Sequence, residues 1–182
     1  MARKAGKVLG PGEKPEVRSR YAYMAFEEHA TWSAFLRSRI LKLGRVWYGV
    51  YVSTSVKVVR GFEGGHAGDH RRIKRHRIDV VGGIRGKIFI IKVKARVNVA
   101  AIREVVTYRN MFLREFEVGD AVQAMIVTRT AGDDMLDIAG RQKVKIIALE
   151  GGAQRKGREG SGRGRRGQRD AGSSRLKTRR EV

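Results

Sequence analysis

Residues 77–95 (RIDVVGGIRGKIFIIKVKA) constrain the fold more than any other stretch of the chain. They form two runs rich in β-branched residues, 77–84 and 87–95, separated only by Arg85-Gly86. Such runs suit a pleated, half-buried surface, and a two-residue join containing glycine closes an antiparallel hairpin. A hairpin this apolar is expected near the centre of a domain. Side chains alternate along a strand, so Ile88, Ile90, Lys92 and Lys94 share one face while Phe89, Ile91, Val93 and Ala95 share the other. The first run carries Asp79 to a neighbouring position, so one carboxylate and two ammonium groups should cluster.

The flanking sequence supplies the rest of a domain over residues 21–149. Residues 21–43 place Phe26, Phe35, Leu36, Ile40 and Leu43 near helical spacing, with Gly44 as a stop. Residues 46–60 have strand composition. Residues 61–72 (GFEGGHAGDHRR) have no period and read as a loop that delivers the basic run 70–77. Its His66, Asp69 and His70, with His76, are a weak metal set, because glycine-rich chain and basic neighbours oppose a preformed dication site. Asn98 suits an N-cap for a helix carrying Ile102, Val105, Val106, Leu113 and Phe116 and ending near Gly119. A buried strand at 121–128, a short helix at 133–140 with acids in its first turn and a last strand at 143–149 follow. The order α-β-β-β-α-β-α-β, with helices long enough for crossovers, predicts an α/β domain with a mixed sheet.

Charge narrows the partners. The chain has 40 basic and 18 acidic residues. The last 32 residues hold only 11 of the basic and 3 of the acidic ones, so residues 1–150 keep 29 against 15. A body this basic attracts polyanions, and DNA or RNA is the expected partner. Residues 1–20, with both prolines, read as a basic flexible arm, and residues 150–182, rich in Gly, Arg and Ser, as a disordered basic tail. No apolar run approaches the roughly 20 residues that cross a bilayer, and residues 1–20 lack the apolar centre of a signal peptide, so a cytoplasmic protein without a membrane partner is expected. Without cysteine there is no disulfide, thiolate zinc site or cysteine nucleophile.

IDVVGG, IFIIKVKAR, MIVTRTA and GRQKVKIIAL, in this order, resemble the PD-(D/E)XK superfamily of restriction-endonuclease-like nucleases over residues 21–149. The pattern is most similar to small archaeal members with IDVV, a hydrophobic strand ending E-V-K, a helix and an I-V-T strand. The resemblance implies a mixed β-sheet flanked by helices. It also implies a metal-binding aspartate at Asp79, a catalytic lysine at Lys94 and a Mg²⁺-dependent phosphodiesterase chemistry in active members. The position of the metal-binding glutamate is Lys92. Fully ionised, an Asp-Glu-Lys trio carries about −1, whereas Asp79, Lys92 and Lys94 carry about +1, which weakens attraction for a dication and favours a phosphate. Some members place the acid on the following helix, where Glu104 lies, and others use the first helix, where Glu27 and Glu28 lie.

The expectation is a nucleic-acid-binding protein on a nuclease-like frame with impaired catalysis, contacting phosphates through Arg71, Arg72, Lys74, Arg75, Arg77, Lys92, Lys94 and Arg96. An active nuclease using Asp79, Lys94 and a relocated Glu104, with Mg²⁺ on Asp79, is one alternative. A ribosome-associated RNA-binding protein is another. Trp47, Tyr48 and Tyr51 are expected to pack rather than stack on bases.

Overall fold

The computed structural model describes residues 6–57, 71–119 and 121–150. The expected glycine-rich loop, except its last two residues, and the tail beyond residue 150 lie outside them. The element order is α1 (Phe26–Ser38), β1 (Arg45–Lys57), β2 (Arg71–Ile84), β3 (Lys87–Arg96), α2 (Val99–Glu115), β4 (Ala121–Thr130), α3 (Asp133–Arg141) and β5 (Val144–Ala148). The strands form one sheet in the order β1-β2-β3-β4-β5. The first three strands meander antiparallel, while β3, β4 and β5 are parallel and joined by crossovers through α2 and α3. This is the expected mixed α/β sheet.

The β2–β3 turn is where sequence prescribes geometry most tightly. Arg85 and Gly86 both have positive φ, 39° and 72°, with Ile84 facing Lys87. Two left-handed residues match the twist of the flanking strands, and the second is glycine, which adopts that backbone without a Cβ clash. The central strand β3 is covered on both faces. Ile88 and Ile90 join the core under α2 and α3, with Ile102, Val105 and Phe112, whereas Phe89, Ile91 and Val93 join the core under α1, with Trp32 and Phe35. Burial on both faces explains why β3 reads as a nearly continuous apolar run.

The first helix departs from expectation. It spans Phe26–Ser38 and stops at Arg39 in a left-handed conformation, five residues before Gly44. Phe26 and Ile40, placed on the buried stripe from spacing, are exposed, and the anchors are Trp32 and Phe35. Ile40 and Leu43 fall beyond the helix, so their spacing was not helical phase. In α2 the Asn98 side chain accepts the Ala101 N–H at 2.8 Å, as an N-cap should. Leu113 is exposed there, and Tyr108, Met111 and Phe112 are buried in its stead.

Residues 6–20, part of the segment expected to be a flexible arm, lie against the domain. The backbones of Glu13 and Val46 exchange hydrogen bonds, Lys7 pairs with both the backbone and the side chain of Glu115, and the Trp47 indole N–H donates to the Gly10 carbonyl at 2.8 Å. Main-chain pairing and an indole contact supply order that apolar content alone did not predict. No described helix is long and apolar enough to cross a membrane.

Candidate functional site

The site begins where β2 and β3 separate. Their register runs from Ile84↔Lys87 to Val80↔Ile91 and ends there. The next main-chain donor on β3, Val93 N–H, gives its hydrogen bond at 3.0 Å to the Asp79 carboxylate. A side chain thus takes the place of a strand, which opens the sheet and fixes Asp79 at the fork. On the other side of β2, Gly49 has a φ of 63°. Before this point Val46 and Tyr48 face the α1 core; after it Val50 and Val52 face the α2 core, although all four have the same parity. Val80 and Ile78 change sides in the same way on β2. The left-handed glycine lets the β1–β2 pair turn over at Asp79, and beyond it residues 71–78 of β2 pair with β1 alone.

Lys92 fills the fork. Its residue exposure is 8%, and its ammonium lies 3.4 Å from Asp79 and 3.3 Å from Glu104 Oε1. Glu104 projects from the second turn of α2 and accepts a hydrogen bond from the Tyr108 hydroxyl one turn later, and the Lys92 ammonium sits 5.8 Å from the centre of the Tyr108 ring. Lys94 turns instead to α1, where its ammonium meets Glu28 Oε1 at 2.5 Å. Glu28 stands at the third position of that helix, and its other oxygen accepts the Ala25 N–H at 3.2 Å, so the carboxylate caps α1 and pairs with Lys94 at once.

The electrostatics follow from this packing. Burial pushes the Asp79 carboxyl above the ordinary aspartate range, and the Lys92 charge and the Val93 N–H pull it only part of the way back. Burial also acts to raise Glu28, but hydrogen bonds from Lys94 and Ala25, with the charges of both lysines, outweigh it and hold that carboxyl below its usual range. The bond to Glu28 raises Lys94 against its desolvation. Burial, then the bond to Glu104, pushes the Tyr108 phenol well up, so it remains a neutral donor.

The sequence brought Asp79, Lys92 and Lys94 together, and the structure does so as well, together with Glu104 and Glu28, two of the helix acids that the resemblance pointed to. The two lysines do not stand as a paired cationic face: each is engaged by carboxylates from a different helix. Counting Glu28, Asp79 and Glu104 against Lys92 and Lys94, the ionised cluster carries −1, not the +1 expected from three groups. A dication does not fit this arrangement, because an ammonium already lies between Asp79 and Glu104. Among the described residues no group of three His, Cys, Asp or Glu side chains is set to hold a metal. Of the other residues expected to contact phosphate, Lys74, Arg75 and Arg96 are exposed, Arg77 is half-buried, and Arg71 and Arg72 lie in β2. His76 of the weak metal set packs its ring 5.9 Å from Tyr108, and His66, Asp69 and His70 lie outside the described residues. Tyr108 was missed from the sequence, although its spacing of four from Glu104 on one helix was a usable signal.

No protein-family model matches the chain, and no curated protein matches it. Two solved structures are similar to it. One is a repair endonuclease from Pyrococcus abyssi, 18% identical, with a TM-score of 0.36 over 54% of this chain and 39% of that one. The other is a protein from Vibrio cholerae, 16% identical, with a TM-score of 0.42 over 66% of this chain and 30% of that one. The chain therefore spans well under half the length of either.

Proposed function

We propose that the protein binds nucleic acid on a restriction-endonuclease-like frame and does not cut it, because Lys92 supplies from within the chain the positive charge that a metal supplies in active members. One observation carries this reading: the ammonium of Lys92, a buried residue, lies within 3.4 Å of both Asp79 and Glu104. Glu104, the acid an active enzyme would need as a relocated ligand, reaches the fork but is engaged there by Lys92. The residue pattern around Asp79 and the E-x-K position supports the frame.

Phosphate contact falls to the β1–β2 ribbon and to Arg96. Eight β2 residues beyond the fork extend roughly 27 Å at about 3.4 Å per residue, and five of them, Arg71, Arg72, Lys74, Arg75 and Arg77, are basic. Lys92 and Lys94 organise the base of that ribbon. Binding of labelled duplex DNA, single strands and structured RNA, followed by anisotropy between 50 and 200 mM salt, tests the reading. Contact with six to ten phosphates predicts a loss of roughly 10³ to 10⁵ in affinity over that range. A clean preparation should leave the bound strands intact in Mg²⁺, and Lys92→Glu should gain metal-dependent cutting. Binding indifferent to salt, or cleavage by the unaltered chain that EDTA and Asp79→Ala both abolish, would overturn it.

A further inference from the structure

Tyr23 lies just before α1 at the third position of a turn closed by the Met24 N–H on the Tyr21 carbonyl at 3.4 Å, has a φ of 74°, and is 63% exposed. The ring is nevertheless placed firmly. It lies on Gly49, where an added Cβ would come within 3.2 Å of Tyr23 Cδ2, and the Arg77 guanidinium sits over it at 4.0 Å from the ring centre. An exposure of 63% leaves much of the residue open to solvent beside the Arg77 guanidinium. Directly across the ribbon, Tyr51 is paired with Arg77 in register and is 49% exposed, so its ring stands on the same side. Its expected role in packing is not what its exposure indicates. Arg77 is two residues from Asp79, about 7 Å along the strand.

We propose that Tyr23, Arg77 and Tyr51 form a stacking platform for unpaired bases of a single strand, at the root of the basic ribbon and beside the fork. This rests on the nucleic-acid-binding reading and gives it a preferred substrate. A tyrosine ring and a guanidinium plane both offer flat faces to a base, and every base has a π face, so the platform takes single strands without reading sequence. A duplex, whose bases are already stacked, gains nothing from it. Arg75, on the same side of the ribbon and exposed, is placed for the adjoining phosphates.

The test uses the full chain with fluorescein-labelled dT20, rU20 and a dA20·dT20 duplex. Tyr23→Gly removes the ring and suits the positive φ, so the variant should fold, as circular dichroism will verify; Tyr51→Ala and Arg77→Lys complete the set, and Tyr23→Phe keeps the ring. Tyr23→Gly and Tyr51→Ala should each weaken single-strand binding by roughly fivefold to a hundredfold, the range given by one lost base stack. They should leave duplex affinity and the salt slope unchanged, and Tyr23→Phe should bind like the unaltered chain. Equal loss on single strands and duplex, or no loss on either, overturns the platform while the binding reading stands. Failure of the unaltered chain to bind any of the three probes overturns both.

Discussion

Replacing Lys92 with methionine removes the ammonium while keeping most of the stem that fills the fork. At 3.4 and 3.3 Å, and at an effective interior dielectric of about 20, the two contacts represent about 5 kcal/mol of gross attraction each. Desolvation of the three charges offsets much of that, and removing one partner from a buried pair costs about 3–5 kcal/mol in net stability. Glu104, with its side chain 36% exposed, can turn to water, whereas Asp79, at 11%, cannot. The cost therefore rests on Asp79, and we expect about 3 kcal/mol at pH 7.5. Its pH dependence has a definite sign. Burial already raises the Asp79 carboxyl in the folded chain, so the stability linked to its protonation is present below its unfolded value and lost as pH rises through its folded one. Without the Lys92 charge the folded value climbs further and the loss grows. Urea unfolding of both proteins at pH 7.5 and again near pH 4 should give a difference that shrinks in acid. A difference below about 1 kcal/mol at pH 7.5, or one unchanged by acid, would refute the account of Lys92 as the charge that offsets the burial of Asp79 in the fork.

Three further outcomes follow from the same geometry. Glu28→Gln should flatten the acid limb of the stability profile, because a carboxyl held below its usual range contributes stability above its unfolded value and loses it as pH falls through the folded one; thermal melts from pH 3 to 7 measure this. Gly49→Ala should cost at least about 1 kcal/mol in chemical denaturation, since it forces a Cβ into a left-handed backbone and against the Tyr23 ring. Trp32→Ala should cost about 3–5 kcal/mol, as expected for a fully buried aromatic.

How far the sequence went is clearest at β2 and β3. The two-residue turn, the buried strand and the convergence of Asp79, Lys92 and Lys94 were legible because period and turn chemistry are local properties. The resemblance pointed to Glu104 and to the Glu27-Glu28 pair as acids near the site, but as metal ligands. That Glu28 pairs with Lys94 and Glu104 with Lys92 was not legible, because it depends on how α1 and α2 pack on opposite faces of the sheet. The turnover at Gly49 was hidden for a related reason: alternation predicts one face for Val46, Tyr48, Val50 and Val52, and a single positive φ reverses it midway. Tyr23 carried no periodic signal, since it sits in a turn before α1 rather than on a helix or strand.

On the proposed reading the Lys92 ammonium holds the place between Asp79 and Glu104 that a metal would need. Titration with Mn²⁺, followed by the electron paramagnetic resonance of the free ion, probes this on the unaltered chain, Lys92→Glu and Asp79→Asn. The unaltered chain should take up no stoichiometric Mn²⁺, while Lys92→Glu should take up one equivalent that a second substitution, Asp79→Asn, removes. One equivalent bound by the unaltered chain and lost in Asp79→Asn would contradict the claim and point to a metal-dependent enzyme.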